Sequence, residues 1–140
     1  MEILAPILYV VTFAVALLFS LFLIALGGAS LFAPAKAKVF LLGFATSAFT
    51  HYLEMVLRLV VGASILSQAP HLMFPVVFTV FGWMMVATTV VLLLLPWKWH
   101  RRFAEKAVPP ALRYLPLFGV VSLALGLVLV IFLLNGLLSR

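Results

Sequence analysis

The stretch ILYVVTFAVALLFSLFLIAL, Ile7 to Leu26, decides what kind of protein this is. It contains no charged residue, and crossing the hydrocarbon core of a bilayer takes about 20 mainly apolar residues. A secretory signal would carry Lys or Arg ahead of a shorter apolar core, whereas the early charge here is Glu2. The stretch therefore reads as a retained transmembrane helix, from about Pro6 to Leu26, stopped by Gly27-Gly28.

Three more segments have the same character. They run from about Val39 to Leu66, from about Phe74 to Leu95 before Pro96, and from about Tyr114 to Leu138. Pro6, Pro75 and Pro116 sit near helix starts, where a missing N–H costs little. Of the 140 residues, 67% are hydrophobic and 9% charged. A soluble domain carries roughly 25% charged residues, so lipid must solvate much of this surface. The expected fold is all-α, a single integral membrane domain built as a four-helix transmembrane bundle.

Charge sets the expected orientation. The first loop carries Lys36 and Lys38; the third carries Lys98, Arg101, Arg102 and Lys106, with Arg113 at its edge and Glu105 opposing. The second loop, Ser67 to Met73, has no formal charge. Cytoplasmic loops are enriched in Lys and Arg, which places the first and third loops inside and both termini outside, periplasmic in a bacterial inner membrane. Arg140 argues weakly the other way. The net charge of +6 is explained by this topology, and no nucleic-acid partner is expected.

The third loop has a pattern of its own. Trp99, Phe103 and Ala107 recur every four residues, with Lys98, Arg101, Arg102 and Glu105 on the other side and Trp97 at the start. This predicts a short amphipathic cytoplasmic helix ending before Pro109-Pro110, its aromatics at headgroup depth and its cations toward anionic lipid headgroups. Pro34 and Lys36 also align with Pro96 and Lys98 at one offset. A hairpin repeated once would give two parallel halves; chance similarity between apolar runs is the other reading.

Pro96-Trp97-Lys98 with its basic run, then Pro109-Pro110-Ala111-Leu112-Arg113, then Gly119 and Gly126, give the last third of the chain a family likeness. It resembles the small YjeT-type bacterial inner-membrane proteins of unknown function. The resemblance implies a bacterial membrane protein and carries no activity. Leu57-Arg58 with Gly62, and the pattern of spans, are similar to small four-helix membrane proteins of the DoxX type.

The second span holds the chemistry. At 100° per residue, His51, Glu54 and Arg58 fall within about 60° of arc, with Ser47 and Gly62 on the same face and Gly43 at its edge. A span centred near Tyr52 puts His51 and Glu54 near the midplane, with Arg58 about 9 Å outward. Glu54 precedes Arg58 by four residues, a spacing that lets them pair. Gly43 with Ser47, Gly62, and the Gly119, Ser122, Gly126 face of the fourth span permit close helix packing. The fourth-span face is expected to lie against the polar stripe.

Other function classes have little to work with. There is no cysteine, and only three acidic residues exist. A b-type haem would need two histidines at matching depth, whereas His51 is expected mid-membrane and His71 and His100 in loops on opposite sides. No metal, cofactor or enzymatic activity is therefore expected. The leading expectation is a non-enzymatic packing, assembly or accessory subunit, a homo-oligomer or a partner in a membrane complex. The alternatives are a small transporter or proton-coupled channel using the polar face, and a lipid- or quinone-binding redox component.

Overall fold

A computed structural model describes residues 4–44 and 46–139, with Val108 described by its backbone alone. Glu2 and Arg140 lie outside the described residues. The described residues form six α-helices: α1 (Leu4–Phe32), α2 (Pro34–Gly43), α3 (Ala48–Gln68), α4 (Pro75–Leu94), α5 (Trp97–Ala111) and α6 (Leu115–Leu138). Among the described residues there is no strand. Helices α1, α3, α4 and α6 are long and apolar enough to cross a membrane, making this a multi-pass, all-α four-helix bundle. Each basic loop contains a short helix, α2 beginning at Pro34 and α5 just after Pro96.

The most extensive pairing joins α1 to α6, and small residues make it possible. In lipid, helices gain little from hydrophobic burial and rely on close backbone approach. A Cβ on Gly27 would meet Gly119 O at 2.7 Å, and one on Gly126 would meet Ser20 O at 2.7 Å. Ser122 Oγ donates across the interface to Leu23 O at 2.9 Å. Two expectations fail here. Gly27-Gly28 does not stop α1, which continues to Phe32, because Gly27 serves as a contact surface inside the helix. The Gly119, Ser122, Gly126 face packs on α1 rather than on the polar stripe.

Helices α3 and α4 cross at a reciprocal glycine contact. A Cβ on Gly62 would lie 3.4 Å from Gly82 O, and one on Gly82 would lie 3.2 Å from Gly62 O. Helix α1 closes on α3 through buried Ala16 and Ile65, in a core completed by Phe78, Leu129 and Leu133. Toward the charge-free end of the bundle, buried Gln68 donates to Tyr9 O at 3.1 Å and to Thr12 Oγ1 at 2.8 Å. Thr12 Oγ1 also approaches Ser67 Oγ at 3.4 Å.

The expected second span, 39–66, is divided. Helix α2 ends at Gly43, and α3 begins at Ala48 behind a capping box: Ser47 Oγ accepts from Thr50 N, and Thr50 Oγ1 accepts from Ser47 N. Ser and Thr hydroxyls compete with helical backbone bonds, so they favour a helix start over a helix interior. Helix α2 packs back against α1, with Phe40 and Phe22 ring centroids 6.0 Å apart. Gly43 has open space where its side chain would be, so it makes no packing contact of the expected kind.

Candidate functional site

This shift of the helix start resets the depth of every polar residue on α3. The helix has 21 residues, a length of about 31 Å that matches the hydrocarbon thickness. Arg58 is its middle residue. Glu54 lies about 6 Å nearer the basic end, and His51 about 10 Å nearer, in the first turn. The expected order of depth is thus reversed: Arg58 is central and His51 is close to the interface. Ser47, expected within the intramembrane cluster, is the N-cap.

Arg58 bridges two helices. Its Nε donates to Thr89 Oγ1 at 3.1 Å, and its Nη2 to Thr88 Oγ1 at 3.2 Å. Its Nη1 stands 3.6 Å from Glu54 Oε1. Each guanidinium nitrogen thus has its own partner. Both threonine hydroxyls donate back to their own helix, Thr88 to Met84 O at 2.8 Å and Thr89 to Met85 O at 2.7 Å, leaving their lone pairs for Arg58. Helical side chains lean toward the helix N-terminus, so Arg58 points toward the basic end, where the threonines of α4 lie.

The stripe faces inward. The exposed face of α3 carries Tyr52, Leu53, Val56, Leu57 and Val60, whereas His51, Met55, Gly62 and Ile65 are buried on the side shared with Glu54 and Arg58. Even so, the side chains of Arg58 and Glu54 keep 32% and 26% of their surface exposed. The pair is therefore incompletely covered by the described residues.

His51 is 2% exposed and meets a partner that its presumed depth had excluded. Its Nδ1 lies 2.6 Å from Nδ1 of His100 on α5, the ring centroids 4.6 Å apart. One imidazole must donate and the other accept across such a contact. The opposite ring nitrogen, His51 Nε2, is buried with no hydrogen-bond partner among the described residues. An unbroken second span does not predict the pair, because it puts one histidine mid-membrane and the other in a remote loop. The Ser47–Thr50 start signal was the clue that could have found it. Among the described residues no group of three His, Cys, Asp or Glu could hold a metal ion.

Helix α5 presents the expected amphipathic surface. Trp99 and Phe103 are 63% and 68% exposed. Arg101 pairs with Glu105 at 2.9 Å and stacks its guanidinium over Trp97, 6.0 Å from the ring centroid. Lys98 and Arg102 are exposed beside them. The helix continues through Pro109 and Pro110 to Ala111, beyond its expected end. Pro109 and Pro110 have no N–H to donate to Glu105 O and Lys106 O, and a turn at Leu112–Tyr114 then leads into α6.

On the other half of the bundle, α1, α4 and α6 leave an apolar groove of about 310 Å³, lined by Phe19, Phe74, Phe78, Phe81, Leu129 and Phe132 among others. No family model, curated protein or solved structure matches the chain.

Proposed function

We propose that this protein is a non-enzymatic accessory or assembly subunit of a membrane complex. The observation that carries this reading is the residual exposure of Glu54 and Arg58 near mid-span. A charged side chain at the bilayer centre costs about 3 kcal/mol on insertion scales unless it is covered or paired. Internal bonds to Thr88 and Thr89 anchor the guanidinium, and a neighbouring chain covers what remains. That neighbour is a second copy of the chain or a different membrane subunit.

The orientation follows from charge. Helices α2 and α5 gather Lys36, Lys38, Lys98, Arg101, Arg102 and Lys106 at one end, which faces the cytoplasm of a bacterium and its anionic headgroups, with both termini periplasmic. The likeness of the last third to YjeT-type proteins supports the same membrane. Native purification in mild detergent, followed by intact mass spectrometry, tests the proposal. A stoichiometric second subunit is expected, and free monomer under every mild condition refutes it.

A second reading, proton-coupled transport, is favoured by the His51–His100 contact. Three helices, α3, α4 and α5, contribute polar side chains to one line from the basic end to mid-span.

A further inference from the structure

We propose that His100, His51 and Glu54 form a one-sided proton entry, running from the basic end of the bundle to a carboxylate in the membrane interior and stopping there. The inference rests on the proton-coupled reading and specifies its site. His100, partly exposed on α5, is the mouth. Its Nδ1 touches His51 Nδ1 at 2.6 Å. The remaining nitrogen of His51, Nε2, is the buried atom with no hydrogen-bond partner. A buried imidazole nitrogen left unpaired is costly, and a single water is its natural partner. Glu54 follows His51 by three residues and so lies on the same side of α3. We place that water between His51 Nε2 and the Glu54 carboxylate.

The proton count closes. His100 gains a proton on Nε2 from solution and releases the one on Nδ1 to His51 Nδ1. His51 then gives up its Nε2 proton through the water to Glu54. Each ring gains one proton and loses one, and ends neutral in the opposite tautomer. Glu54 becomes a neutral acid, and Arg58 keeps its bonds to Thr88 and Thr89 while losing the ion pair. Among the described residues, the charged and titratable groups in contact with the relay are His100 from α5, Glu54 and Arg58 from α3 itself, and the Tyr52 ring 5.1 Å from His51.

The path ends because, among the described residues, the next layer offers no titratable side chain and its buried hydroxyls, Ser64 and Ser20, are bonded to their own helices. Past Arg58 the inner face of α3 becomes Gly62, packed against Val86 of α4, and Ile65, buried with Ala16 of α1. The next polar groups are Ser64, whose hydroxyl donates to Val60 O of its own helix, and Gln68, bound to Thr12 near the far end. A proton delivered to Glu54 therefore returns the way it came unless the helices move. That is the gating a coupled carrier requires.

The test uses the full chain in liposomes, with the carboxyl band of Glu54 followed by time-resolved infrared spectroscopy after a pH jump. Glu54→Gln assigns the band. His100→Phe and His51→Ala are each expected to slow protonation roughly a hundredfold, and imidazole in the medium restores the rate of His51→Ala. Unchanged rates in both variants overturn the relay while leaving proton coupling standing. A wild-type Glu54 that never takes up a proton overturns both. Should His51→Ala fail to fold, His100→Phe decides alone, since it alters only a partly exposed residue of an outer helix.

Discussion

Arg58 on α3 donates from Nε to Thr89 Oγ1 on α4 at 3.1 Å, and Thr89 is completely buried. The bond joins two spans near the middle of the membrane. Thr89→Val keeps the shape and removes the acceptor, stranding one guanidinium nitrogen. We expect a loss of about 1–3 kcal/mol, because a partly buried guanidinium nitrogen near mid-span is left without its acceptor. Unfolding in mixed micelles measures it.

The Glu54–Arg58 contact is longer, at 3.6 Å, and the charges are partly exposed. Glu54→Gln alone is expected to destabilise less than Thr89→Val. Glu54→Gln combined with Arg58→Met should be more stable than Glu54→Gln alone, since removing both charges strands neither. Thermal unfolding of the three variants in one detergent decides the order.

Glycines divide into two classes. Gly126→Ala drives a methyl to 2.7 Å from Ser20 O, a backbone atom that cannot rotate away. We expect about 1–3 kcal/mol of destabilisation from overpacking. Gly28 and Gly43 have nothing within 4 Å of a new Cβ. Gly28→Ala should therefore be neutral or stabilising by up to about 1 kcal/mol, through helix propensity. If Gly126→Ala were as benign as Gly28→Ala, the α1–α6 interface described above would be wrong.

Gln68 ties α3 to α1, bonding Tyr9 O and Thr12 Oγ1 from a side chain that is 1% exposed. Gln68→Leu is expected to cost only about 1 kcal/mol. Thr12 keeps its own bond to Leu8 O, and measured side-chain hydrogen bonds in membranes are weak. Chemical denaturation of the reconstituted protein checks this.

Trp99 and Phe103 face outward beside Lys98 and Arg102. In a variant whose other tryptophans are Phe, Trp99 fluorescence should be quenched by lipids brominated near the headgroup and little by those brominated at the chain end. The reverse order would place α5 outside the interfacial belt.

The four spans, the two basic loops and the amphipathic α5 were legible in the sequence. Each is a run of consecutive residues whose partner is lipid or water, and composition specifies such surroundings directly. The pairing of Glu54 with Arg58 was legible for a similar reason, since helical spacing alone brings them together. The start of α3 is masked in the sequence, although Ser47 and Thr50 carry its signal. The apolar run from Val39 onward hid a break that costs only a capped turn. That one shift moved His51 from the midplane to the first turn and Arg58 to the centre.

By itself, then, the sequence determined that this chain dissolves in a membrane, how many times it crosses, and which helix face is polar. Those properties depend on local periodicity and on transfer between water and hydrocarbon. Only the tertiary structure decided what that face touches. His51 meets His100 across 49 positions of chain, Arg58 meets Thr88 and Thr89 across about thirty, and Gly119 and Gly126 meet α1 rather than α3. In lipid every apolar helix face is equally well solvated. The choice of neighbour therefore rests on small-residue fit and on a few hydrogen bonds, and these exist only once the helices are side by side.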